Sequence, residues 1–246
     1  MNKKAILIFV FSLFIVPLYY AQNASHNNVW TRLSFTIPFT NKIKTEAEFQ
    51  KRFQNDITLS NSGNPFQENL MNSVRLWGHL KVNSKFIFSI SPFAYFQHSS
   101  IITNTNEKLK NKTYEVRYTI AGDYKQKIIN NLYVFNRLGI EYRDLKNNGQ
   151  DNIIRLRNKL GLKYDINKKW NVSIFDEYFS NLNSTDQEHL FDHNRVGILG
   201  SFFASKSIKL DVGFIHISRL PKNKFEQLHD DNFVIMLYYT FNQNKK

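Results

Sequence analysis

The chain has 246 residues, no cysteine and a formal net charge of +13. A chain without cysteine is not a disulfide-stapled scaffold, so its stability must come from a closed hydrogen-bond network or a large core. The basic charge raises nucleic acid as a partner, but no helix-turn-helix, zinc-finger or stacking-sheet pattern accompanies it, and the chain has no glycine-rich phosphate loop.

The first 22 residues, MNKKAILIFVFSLFIVPLYYAQ, set Lys3 and Lys4 ahead of an apolar run from Ala5 to Leu18, broken only by Ser12 and Pro17. This is the layout of a secretory signal peptide, and the run is short for a bilayer span of about 20 residues. We read residues 1–21 as the leader, cleaved after Ala21, and residues 22–246 as a single mature domain. Tyr19 stands where a small residue is usual, which leaves the boundary open by a few positions. Loss of Lys3 and Lys4 takes the charge from +13 to +11. No later segment is apolar for long enough to be a membrane helix.

Extended runs then follow one another: 28–37, 42–55, 69–82, 85–99, 113–124, 131–144, 153–165, 170–181, 194–204, 208–219 and 232–241. Most have 10–15 residues, against about 5–6 for strands of soluble proteins and about 9–11 for a strand tilted across a membrane. Their connections alternate. Short ones (38–41, 83–84, 125–130, 166–169, 205–207) separate longer polar ones (56–68, 100–112, 145–152, 182–193, 220–231). Short turns on one side and long loops on the other are what a transmembrane hairpin barrel requires. The expected fold is therefore all-β: an antiparallel, up-and-down transmembrane barrel of 10–12 strands. Twelve is the preferred count, because bacterial barrels of one chain have an even number. A twelfth strand would then lie near the N-terminus or in a long loop.

Each run alternates with a period of two. In 153–164, Ile154, Leu156, Leu160, Leu162 and Tyr164 oppose Arg155, Arg157, Lys159 and Lys163. In 113–124, Tyr114, Val116, Tyr118 and Ile120 oppose Glu115, Arg117 and Thr119, and in 69–82 Leu70, Val74, Leu76 and Leu80 oppose Ser73, Arg75 and His79. Arginine and glutamate together on one face suit a partly enclosed lumen, where the guanidinium fork pairs with carboxylates. Tyr124, Tyr142, Tyr164, Trp170, Tyr178 and Tyr239 fall on the apolar face where membrane interfaces would lie. The charged face is expected inside and the apolar face outside. The run 232–241, NFVIMLYYTF, resembles the terminal strand read by the barrel assembly machinery, although the polar tail NQNKK follows it.

Several stretches carry a family resemblance: Trp30, EAEFQKRF (46–53), RLRNKLGLKYDINKKW (155–170), FDEYF (175–179) with Glu177, and FDHNRV (191–196) with Asn194 and Arg195. Together they resemble the bacterial family called domain of unknown function 2490. The resemblance implies an outer-membrane β-barrel over nearly all of the mature chain and implies no particular chemistry.

The candidate lumen residues are Glu48, Arg52, Arg75, Arg117, Arg137, Glu141, Arg143, Arg155, Arg157, Glu177 and Arg195. Their surplus of arginine would favour anions in a narrow, porin-like pore. Equally, these side chains could fill a narrow barrel as a structural plug, since ten or twelve strands fall between filled and open sizes. His189, Asp192 and His193, or His229, Asp230 and Asp231, have metal-like density but no convincing tetrahedral set, and are assigned to loops. His98, Ser99 and Ser100 give no nucleophile elbow. No catalytic residue, metal or cofactor is expected. The expected partners are outer-membrane lipid, the lipopolysaccharide phosphates that lysine-rich loops would meet, and the assembly machinery during insertion of a monomer. Two alternatives remain open: an outer-membrane enzyme of the lipase type, and a soluble periplasmic barrel binding an apolar ligand.

Overall fold

The computed structural model describes residues 22–60, 63–146, 152–183, 190–219 and 226–242; the predicted leader lies outside them. The described chain forms eleven strands: β1 (Gln22–Pro38), β2 (Ile43–Gln54), β3 (Glu68–Lys81), β4 (Phe86–His98), β5 (Thr113–Ile129), β6 (Leu132–Lys146), β7 (Ile153–Asp165), β8 (Trp170–Asn181), β9 (Phe191–Phe203), β10 (Ile208–Arg219) and β11 (Glu226–Thr240). One short 3₁₀ turn, Thr105–Leu109, sits in the loop before β5 and is capped by the Asn104 side chain.

Each strand pairs antiparallel with its chain neighbour, and the sheet closes where β1 meets β11. The preferred count of twelve is corrected to eleven, and so is the all-antiparallel expectation. A hairpin reverses direction at every turn, so the first and last strands of an odd series run the same way and must pair in parallel. That seam spans the full 15 residues of β11, from Gln22 opposite Glu226 to Thr36 opposite Thr240. Parallel pairing is slightly weaker per residue, and this length offsets the loss. No twelfth strand occurs among the described residues; the N-terminal segment instead lengthens β1.

The side chains divide as the alternation requires. Ile120 and Leu138 are 54% and 50% exposed on the outer face, whereas Glu115 and Thr119, next in line on β5, are buried. The five tyrosines and one tryptophan of the expected interface positions all lie on the outer surface. At the short-turn end, Asn131 takes a φ of 63°, a left-handed conformation that asparagine tolerates, and so closes the turn between β5 and β6.

Two irregularities re-aim side chains. In β4 the register slips between Ser91 and Ala94 on the β5 side. Pro92 lies there, and proline has no N–H for a ladder. Ser89 and Ser91 face inward before the bulge; Ala94 and Phe96 do so after it. A second slip, between Arg52 and Phe53 of β2, leaves Leu70 out of the pairing. Leu70, expected on the outer face, is instead buried with Met71, Ala94 and Phe96.

Large and small residues alternate across the inner wall. Along one row of cross-strand partners, Phe135, Gly161, Phe175 and Gly197 come from β6, β7, β8 and β9 in turn. A Cβ at Gly161 would lie 2.4 Å from the Phe135 ring and 2.5 Å from the Ile174 carbonyl oxygen. The ring could tilt away, but the backbone oxygen could not without distorting the ladder. Gly161→Ala should therefore destabilise the barrel by about 1–3 kcal/mol, the usual cost of overpacking. Gly63→Ala, with open space around it, should change stability by less than about 0.5 kcal/mol. Equilibrium urea unfolding checks both; equal midpoints would contradict the packing assigned to this row.

Candidate functional site

All eleven arginines and glutamates singled out above sit on inward positions of the strands, because lumen-facing residues recur at every second position. On β7, Arg155, Arg157 and Lys159 stand opposite Glu141, Gly139 and Arg137 of β6. Glu141 has no exposed surface. Its Oε2 accepts from Arg155 Nη2 at 2.6 Å and its Oε1 from Arg157 Nη1 at 2.7 Å. Arg75 reaches the same Oε1 from β3, 3.2 Å away, and Arg117 Nη1 lies 3.9 Å from Oε2. Two strands separate β3 from β6 along the wall, so the Arg75 pair spans the lumen itself.

The remaining carboxylates divide the other arginines. Glu177 accepts from Arg157 Nη2 at 2.7 Å and lies 3.7 Å from Arg195 Nη1. Glu115 accepts from Arg143 Nε at 2.7 Å, pairs with Arg117, and meets His98 Nε2 at 2.7 Å. Asp192 accepts from Arg155 Nη1 at 2.9 Å, Asp123 from Arg137 Nη1 at 2.8 Å, and Glu48 lies 3.4 Å from Arg32. In the middle of the barrel Arg32, Arg52, Arg75, Arg117, Arg143, Arg155, Arg157 and Arg195 thus meet Glu48, Glu115, Glu141, Glu177 and Asp192. Guanidiniums outnumber carboxylates in this group, and Lys159 stands opposite Glu177 as a further cation.

Arg52 has no carboxylate partner among the described residues. Its guanidinium carbon lies over an indole instead, 3.5 Å from the centre of the Trp30 ring. Arg117 lies over Phe96 at 3.8 Å and Arg195 over Phe179 at 4.4 Å. Aromatic faces attract cations through the ring quadrupole.

Two cavities fill the interior. One, of about 470 Å³, opens toward the long loops and is lined by Glu115, Arg143, Asp192, His193 and Arg219 among others. The second, of about 380 Å³, runs toward the short turns past Glu48, Lys159, Glu177 and Tyr238. Arg52, Arg117, Arg155, Arg195 and Phe96 line both. Four guanidiniums and one ring therefore form a partition at mid-barrel, with a chamber on either side.

Several residues of this interior carry no sequence signal read above. Phe96 and His98 reach the lumen only because of the Pro92 bulge, and that proline inside an alternating run was the available sign. Arg32 lies inward in the first strand within WTRLSF. Asp192 and His193, expected in a loop, belong to β9; His193 stacks on Phe179 with ring centres 4.0 Å apart. His229, Asp230 and Asp231 likewise belong to β11, where Asp230 accepts from Arg219 Nε at 2.7 Å and Asp231 pairs with His216. His189 lies outside the described residues. Among the described residues, no group of three His, Cys, Asp or Glu side chains could hold a metal ion.

A serine–histidine–acid row does occur, but at the short-turn end. Ser89 Oγ lies 2.9 Å from His79 Nδ1, and His79 Nε2 lies 3.5 Å from Glu46 Oε2. Ser89 is 0% exposed and also donates to Asp123. A hydroxyl so enclosed cannot reach an ester, and the row lies at the end of the barrel with the short turns.

These features define a class: a closed eleven-stranded β-barrel with an apolar exterior and an ion-paired interior. The chain belongs to the family described as "Protein of unknown function (DUF2490)", whose model matches residues 27–226. No curated protein matches the chain. Among solved structures, it is similar to a bacterial polysaccharide outer membrane secretin at 9% identity and a TM-score of 0.46, covering 83% of this chain and 67% of that one. It is also similar to the outer membrane channel DcaP of Acinetobacter baumannii at 10% identity and a TM-score of 0.35, covering 82% of each chain.

Removing the central anion should be severe. Glu141→Gln leaves four guanidiniums crowded in a buried site, and losing one partner of a buried ion pair costs about 3–5 kcal/mol. Glu107→Gln, which breaks only the exposed pair with Lys110, should cost about 0–1 kcal/mol. Urea unfolding of the two variants measures the difference; similar losses would mean that Glu141 does not organise the interior.

Proposed function

We propose that this protein is an outer-membrane β-barrel that passes small anions through the guanidinium partition. The observation that carries this reading is the inverted polarity of the barrel. Its outer wall exposes Leu33, Phe35, Leu76, Ile90, Ile120, Leu138, Ile140, Ile174, Ile198, Phe214, Ile235 and Leu237. Soluble monomers rarely expose a continuous apolar patch of more than a few hundred Å², and a bilayer removes the cost. The same polarity argues against the soluble barrel with an apolar ligand, whose interior would be the greasy face.

A closed barrel is one of only two backbones that satisfy every N–H and C=O within hydrocarbon. In such barrels the long loops face outward and the short turns face the periplasm. On that orientation the larger chamber faces the exterior, and solutes reach the partition through it. The excess of guanidiniums around the constriction favours anions by simple electrostatics.

Three measurements test the reading. Folded protein should require detergent for extraction and should migrate differently on gels before and after boiling; free solubility would remove the membrane assignment. Reconstituted in planar bilayers under a potassium chloride gradient, it should show a reversal potential of anion-selective sign. A sealed barrel, or one that prefers potassium, would end the anion-passage reading. An epitope inserted after Asn64 should be accessible on intact cells, whereas one between Asn83 and Ser84 should be shielded. The opposite pattern would invert the orientation.

A further inference from the structure

The lumen arginines fall into two groups by what their donors do. Arg75, Arg155 and Arg157 spend N–H groups on Glu141, Glu177 and Asp192. Arg52 pairs with no carboxylate among the described residues, and Arg195 meets Glu177 only at 3.7 Å, beyond hydrogen-bond distance. Among the described residues neither donates a hydrogen bond to the protein, and the Nε of each is buried without a partner. Arg52 is only 9% exposed, so this is not a surface cation solvated on all sides.

The two come together on one ring. The guanidinium carbons of Arg52 and Arg195 lie 3.5 and 5.5 Å from the centre of the Trp30 indole. β1 carries Trp30 and β2 carries Arg52, whereas Arg195 comes from β9, with β10 and β11 between it and β1 along the wall. Arg195 therefore reaches the indole through the lumen. Contact with aromatic faces holds both guanidiniums in place while leaving N–H donors without hydrogen-bond partners, the fork that oxyanions accept. Both residues line both chambers, so a solute can approach from either side.

We infer that Arg52 and Arg195, braced by Trp30, form a binding site for a small divalent oxyanion of the phosphate type. The Arg52 fork, and the Arg195 donors left over from its 3.7 Å approach to Glu177, present N–H groups to several oxygens at once, which chloride cannot use. The excess of guanidiniums at the partition suits a dianion better than a monovalent carboxylate. The inference deepens the anion-passage reading and rests on the same lumen; it names the solute class and the two residues that hold it.

Calorimetric titration of the folded, detergent-solubilised full barrel with inorganic phosphate tests the site without requiring any current. Saturable binding is expected, at least tenfold tighter than for acetate, with no saturable signal from chloride. Arg52→Gln and Arg195→Gln should each weaken phosphate binding at least tenfold, and Arg52→Lys should recover only part of it, since an ammonium keeps the charge but loses the fork. Retention of heat-modifiable gel mobility shows that each variant is folded; if one fails to fold, the other carries the comparison. Absence of saturable binding to the wild type, equal affinity for acetate, or unchanged affinity in a folded glutamine variant would overturn the inference. Phosphate binding in a barrel that passes no current would sink the passage reading and leave the site standing. Anion-selective current without phosphate binding would do the reverse.

Discussion

Glu141 is a carboxylate without access to solvent, held by guanidiniums from three other strands. A buried charge is tolerated only when its partners and hydrogen bonds replace what water supplied. Here the partners are supplied by closure of the sheet. Arg75 meets Glu141 because the curvature of the closed sheet turns the inner faces of β3 and β6 toward each other, and a flat open sheet would leave both solvated and apart. The ion network thus depends on the cylinder, and in return it ties together strands that are not neighbours in the sheet.

The seam is the second consequence of closure. Ten hairpin turns leave β1 and β11 parallel, and the barrel seals only because their registers match along the full length of β11. One cluster of interior apolar residues lies on the seam side: Trp30, Val234 and Met236 of β1 and β11 pack with Phe175, Leu199, Ile215 and Ile217. A second gathers Leu70, Met71, Ala94 and Phe96 on β3 and β4. The first forms an apolar wall beside the charged wall that Glu141 and its arginines build. Trp30 belongs to both. It packs in the apolar cluster and offers its face to Arg52, which places the unspent guanidinium where the two walls meet.

Much of this was legible in the chain. The strands at 42–55, 69–82, 153–165, 170–181 and 208–219 lie within a residue or two of their predicted bounds, because a long strand with one apolar face shows its period clearly. The inward direction of Arg155, Arg157 and Glu177 followed from the same period once the apolar face was assigned to the outside. Less visible were the positions where the period breaks. Phe96 and Leu70 changed sides at bulges, and Asp192 and His193 entered β9 from a segment whose polarity resembled a loop. The even strand count failed because it rested on a habit of barrels in general, whereas this chain's own runs numbered eleven.

Local chemistry in the sequence determined strand length, the alternation of short and long connections, and which face of each strand is oily. Those properties depend on residues two apart in the chain. What surrounds Glu141, which arginines have their donors spent, and how Arg52 and Arg195 come to share one indole were decided only by the tertiary structure. Such pairings join residues on strands far apart in the chain, Arg75 and Glu141 being 66 positions apart and Trp30 and Arg195 coming from β1 and β9, and their distances exist only once the sheet has closed with a definite strand number and register.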